Sequence, residues 1–206
     1  MALVKYNNNS ISSVTATASL PAGAMTLIKS QTASSSSTIS FVHGTSDVVL
    51  DSTYPIYLFK LINIHPSAQA FFGFNFSTDA GSNYNATKTS TNFRAYHNEG
   101  DSSTDLDYKD GDDIAQGTGQ VLTAGNLGTG NDESLSGELL LFNPASDTFV
   151  KHFIWRSSCV QSAPAAFDCY VAGYVNTTSD VDAVQFAMAS GNIDAGTIKL
   201  YGIKDS

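Results

Sequence analysis

The chain reads as a succession of short β-patterned runs cut apart by turn residues, and no stretch of ten residues carries a convincing helical pattern. Residues 38–42 (TISFV) alternate at period two, and the Gly44 to Asp47 segment breaks them. Pro55 opens residues 56–64 (IYLFKLINI), which are too apolar for a half-exposed strand and so belong at the centre of a sheet. His65-Pro66 ends that run, because proline donates nothing to a strand ladder and pushes the residue before it to extended geometry. Further strands are expected at residues 71–76 (FFGFNF), 87–96, 136–142, 149–157, 170–175, 184–189 and 196–203. Eight to ten short strands with Gly, Pro and Asn turns predict an all-β fold. The version expected is a single antiparallel β-sandwich, jelly-roll-like in its connections.

A length of 206 residues suits one such domain and allows a core without metal or disulfide staples. Residues 1–37 differ from the rest: small β-formers, a Leu20-Pro21-Ala22-Gly23 turn and a serine tract at 34–37. A segment of that composition buries little by itself and orders against a partner. Residues 1–37 are therefore expected to be an N-terminal arm, either a docking segment using Leu3, Val4, Tyr6, Ile11 and Val14 or a flexible tail; the sandwich follows over 38–206. The long polar stretch from His97 to about Glu133 is expected to be mostly loop.

Charge removes several function classes. Ten Lys and Arg stand against 19 Asp and Glu, a formal −9. The only two arginines, Arg94 and Arg156, lie in no basic run, so nucleic-acid binding through phosphate neutralisation is not expected. No run approaches the roughly 18 apolar residues of a membrane helix, and the first residues lack the apolar core of a signal peptide, which predicts cytosolic synthesis without membrane insertion. The N-x-S/T triplets at Asn8, Asn75, Asn85 and Asn176 then read as loop composition.

Few residue patterns point to chemistry. The segment 99–113 is acidic, and Asp105, Asp107, Asp110 and Asp112 are candidate calcium ligands. Lys109 stands where an EF-hand-like loop would place a ligand, and the reading beside calcium is a solvated acidic loop. His43, His65, His97 and His152 are scattered without metal spacing. No nucleophile elbow, P-loop or dinucleotide fingerprint occurs, so neither catalysis nor a cofactor is expected. Cys159 and Cys169 bracket Pro164, as the two strands of one hairpin would, and read as two buried thiols or a cross-strand disulfide. Tyr54, Tyr57, Tyr84, Tyr96, Tyr108, Tyr170, Tyr174 and Trp155 are either core residues or rings that stack on sugars.

Residues 40–51 (SFVHGTSDVVLD), 62–66 (INIHP), 141–144 (LFNP), 148–153 (TFVKHF) and 190–203 (SGNIDAGTIKLYGI) together resemble small structural proteins of marine tailed bacteriophages, cyanophages in particular. The resemblance spans nearly the whole chain, and its motifs are strand ends and turns with no catalytic set. It implies a virion component, assembled in the host cytoplasm, that decorates the capsid or belongs to a tail or fibre. Other virion proteins are then its expected partners. Homo-oligomers are expected too, a trimer being one arrangement that suits both locations. A carbohydrate-binding module for host surface glycans is the alternative.

Overall fold

A computed structural model describes residues 24–123 and 125–204. Thirteen strands occur in order: β1 (Met25–Thr32), β2 (Thr38–Val42), β3 (Ile56–Pro66), β4 (Phe72–Ser77), β5 (Lys88–Asn98), β6 (Thr104–Tyr108), β7 (Ile114–Gly117), β8 (Val121–Leu122), β9 (Leu135–Phe142), β10 (Lys151–Val160), β11 (Ala165–Val175), β12 (Ala183–Met188) and β13 (Ile193–Ile203). No helix occurs among the described residues. Every pairing is antiparallel. One sheet runs β1-β13-β3-β9-β10-β11-β5-β6, with β7 also on β5; the other runs β2-β12-β4-β8.

The chain is thus an all-β protein built as a two-sheet sandwich, as its turn-punctuated pattern predicts. Its sheets are unequal, nine strands against four: β1-β13-β3-β9 and β2-β12-β4-β8 interleave eight strands between the two sheets, and β10, β11, β5, β6 and β7 extend the larger one. The expected boundary at residue 38 shifts. Met25–Thr32 pairs with Ile203 through Thr197 as the edge strand of the larger sheet, so part of the presumed arm is sheet. The docking candidates Leu3, Val4, Tyr6, Ile11 and Val14 lie outside the described residues.

Period two places the core. On β4, Phe72, Phe74 and Phe76 point inward, and across the sandwich Phe153 and Trp155 alternate with exposed residues on β10. The rings interlock: Phe74 meets Phe153 edge-on at 5.6 Å and Trp155 at 5.4 Å, while Phe41 and Phe186 close on Phe59 from β2 and β12. The four-stranded sheet therefore lies over the middle of the nine-stranded one. Trp155, fully buried, satisfies its indole N–H on Ser157 Oγ at 2.9 Å, and Ser157 donates onward to the Thr123 carbonyl.

Close backbone approach accounts for one glycine in β11. A Cβ on Gly173 would strike the Thr89 carbonyl oxygen of β5 and come within 2.6 Å of the Phe153 ring. Gly173→Ala is expected to cost about 1–3 kcal/mol through overpacking, read as a lowered thermal midpoint. An unchanged midpoint would show that the β5–β11 seam has slack.

Candidate functional site

Register, rather than motif, assembles the most unusual surface. The four-stranded sheet covers only one side of the larger sheet. On the other side, cross-strand pairing places Leu27, Tyr201, Leu58, Leu140 and Ile154 in one row from β1 to β10. A parallel row runs Lys199, Lys60, Glu138, Arg156, Tyr170, Phe93 and Tyr108, from β13 to β6. Eight large hydrophobic side chains are exposed among the described residues. Met25, Leu27, Ile62 and Ile154 lie on this outer face, joined by Phe93, Leu106 and Tyr108 near the β6 edge; only Phe149 lies elsewhere. Apolar groups concentrated on one side of a molecule mark an interaction surface, whereas the same groups scattered singly would not.

Charge on this face is also unlike the rest of the chain. Its strands present Lys60, Lys199 and Arg156 against Glu138 and Asp168, a formal +1 in a molecule of −9. Lys60 and Glu138 pair at 3.3 Å, and Arg156 and Asp168 at 3.0 Å, all with substantial solvent exposure. Such pairs contribute little stability, and their role is local neutrality. Between them lies a shallow groove of about 380 Å³ lined by Lys60, Ile62, Glu138, Arg156 and Asp168. Gly137 underlies it because a Cβ there would meet the Arg156 carbonyl oxygen at 2.6 Å.

The aromatic part of the row is a ladder. Phe93 and Tyr170 stack with centroids 4.8 Å apart and planes 3° from parallel, the spacing of neighbouring strands. The Arg156 guanidinium lies over the Tyr170 ring, 4.9 Å from its centroid. Tyr170 is held between two neighbours, so neither ring face is free to take a pyranose. Tyr108 is half exposed, and its hydroxyl donates to Asp113 at 2.7 Å, which raises the phenol's pKa. Among the other tyrosine and tryptophan candidates, Tyr57 and Trp155 are core residues.

The acidic candidates do not converge. Asp105 and Asp107 lie on β6, while Asp110 and Asp112 lie in the following turn. Both Asp107 oxygens are engaged, one by Arg94 Nε at 2.8 Å and the other by Lys109 Nζ at 3.4 Å. The Arg94 hydrogen bond holds the Asp107 carboxyl below the usual range, while burial pushes Asp112 upward. Among the described residues no group of three His, Cys, Asp or Glu side chains could hold a metal. The histidines serve locally: His43 Nδ1 accepts from the Leu50 amide at 3.1 Å, and His65 and His97 contact the Gly130 carbonyl and Asp101.

The two cysteines are unpaired and buried. They do face the same side of the β10–β11 hairpin, but Cys159 pairs with Phe167 and Cys169 with Ser157, two register positions apart. Such diagonal positions lie about 7 Å apart, too far for a disulfide whose Cβ atoms sit about 3.8 Å apart. Burial pushes both thiols up to about 12, which leaves them unreactive near neutrality.

No protein-family model, curated protein or solved structure matches this chain. Function must therefore be argued from the surface itself.

Proposed function

We propose that this protein is a non-enzymatic structural component of a bacteriophage virion, decorating the capsid or belonging to a tail or fibre, and that it acts by burying surface against neighbouring virion proteins. The supporting observation is the broad outer face of the nine-stranded sheet, apolar and locally near neutral in an otherwise acidic molecule. The sequence resemblance to marine phage structural proteins points the same way. Assembly then takes place in the host cytoplasm, and residues 1–23 are the arm that docks to the particle.

Truncation at two points tests this reading. Deleting residues 1–23 leaves all thirteen strands, so the expected product is a folded sandwich that no longer enters particles. Unchanged incorporation, measured by quantitative mass spectrometry of purified virions, would sink the docking arm. Deleting residues 1–35 removes β1 as well and bares β13, so that variant is expected to aggregate. Copy number in the same measurement separates the locations: hundreds per particle for decoration, about a dozen for a tail part.

A host-glycan module remains the second reading, favoured by the exposed Phe93 and Tyr108 rings beside Arg156 and Asp168. The occupied faces of Tyr170 weigh against it.

A further inference from the structure

We infer that the outer face of the nine-stranded sheet packs against the same face of a second copy, giving a back-to-back two-fold dimer. This rests on the surface-association reading above and supplies the partner. Three observations carry it.

The first is charge. Two molecules of −9 repel wherever their general surfaces meet, but this face is close to neutral, the formal +1 of its strands being offset by Asp113 at the Tyr108 hydroxyl, and this lets two copies approach. The second is extent. Eight successive strands at about 4.8 Å spacing span about 34 Å, and six or seven residues along each strand add about 20 Å. That is on the order of 700 Å² of flat area, close to the roughly 800 Å² per partner of a standard stable interface.

The third is self-complementarity. The centre of the strand order falls between β9 and β10. A two-fold axis running along those strands, in the plane of contact, exchanges the two sides of every row. It lays Leu140 over the partner's Ile154 and Glu138 over the partner's Arg156, and brings Lys60 to the partner's Tyr170. In that same row it brings Lys199 to the partner's Phe93 and Ser30 of β1 to the partner's Tyr108, while Met25 and Leu27 lie in other rows. Apolar side chains meet at the centre, rings meet lysines beside it, and the one acid near the axis meets the one arginine on this face. A heterologous partner would not need the face to match itself in this way.

Sedimentation velocity and light scattering on the full chain test the inference. The expected mass is twice 21.8 kDa, persisting at high salt because the contact is largely apolar. Ile154→Glu, on a side chain 48 % exposed in the monomer, is expected to leave the fold intact and weaken self-association about 100-fold. Phe149→Ser, which removes the exposed ring that lies off this face, is expected to leave the dimer unchanged. Glu138→Arg should weaken the dimer, and adding Arg156→Glu should restore it. A wild-type chain that runs at a single 21.8 kDa mass across a wide dilution series overturns the inference whatever the variants do. So does a dimer indifferent to Ile154→Glu. A monomer that still enters particles would leave the surface-association reading standing and remove only the second copy.

Discussion

Phe74→Ala is expected to destabilise the sandwich by about 3–5 kcal/mol, lowering the thermal midpoint by roughly 6–20 °C for a chain of this size. Phe74 is completely buried on the central part of the smaller sheet, with the rings of Phe76, Phe153, Trp155 and Phe186 all within 6.3 Å of its own. Removing it leaves a hole bounded by four rings on two rigid sheets, and such a site collapses poorly. The loss is set by the vanished transfer free energy plus the unfilled cavity, against a total stability of only about 5–15 kcal/mol. Phe74→Leu retains most of the volume and should cost less than half as much. Urea denaturation of both variants checks this, with the denaturant slope monitored for two-state behaviour. A Phe74→Ala loss below about 1 kcal/mol would mean that the sheets are not packed through these rings.

That core was largely legible in the sequence, because its signal is local. Residues 71–76 and 149–157 show their inward aromatics at period two, and the apolar run 56–64 lies, as its composition requires, between two other strands, β13 and β9. What could not be read was set by pairing. Met25–Thr32 was hidden because an edge strand is half exposed along its whole length and shows only a weak alternation. Strands β6 to β8 were hidden for a related reason: they are two to five residues long and set in a polar stretch. The outer face was invisible for a stronger one. Leu27, Ile62, Phe93 and Ile154 come from four strands spread over some 130 residues, and only the register shows that they share a side. The calcium candidates failed because spacing says nothing of partners, and Arg94, thirteen residues away in sequence, had already engaged Asp107.

Lysines offer the sharpest contrast between pattern and energetics. Lys88 on β5 and Lys151 on β10 sit in one inward row, each opposite Val175 of β11, and both are fully buried. Their surroundings differ. Burial lowers the Lys151 pKa, but Lys151 donates to two carbonyls, Ser146 at 2.5 Å and Thr177 at 3.1 Å, and the charges of Asp180 and Asp147 oppose the shift. Lys88 donates to the Ala86 carbonyl alone, at 2.9 Å, and no carboxylate lies within ion-pair distance among the described residues. Burial therefore lowers the Lys88 pKa from 10.5 to about 8.

The consequence for stability has a definite sign. Between about pH 8 and pH 10.5 the unfolded chain holds a proton on this lysine that the folded chain has given up, so stability rises with pH across that window. Below pH 8 both states are protonated and the folded state carries the full cost of a buried cation, on the order of 3 kcal/mol. Lys88→Met keeps the volume and removes the charge, so a gain of roughly 1–3 kcal/mol is expected at pH 7, shrinking as the pH is raised toward 10. The thiols act in the opposite sense. Held protonated up to about 12 in the fold, they withdraw stability once the unfolded thiols ionise near pH 9. They do so equally in both proteins, so the difference between wild type and variant isolates Lys88. Urea midpoints at pH 7, 8 and 9 measure it. A Lys88→Met protein less stable than wild type at pH 7, or a difference flat across those three points, would show that the Lys88 ammonium reaches a partner or water after all. Lys151→Met, which strands two carbonyls and leaves Asp147 and Asp180 without their cation, should destabilise at every pH tested.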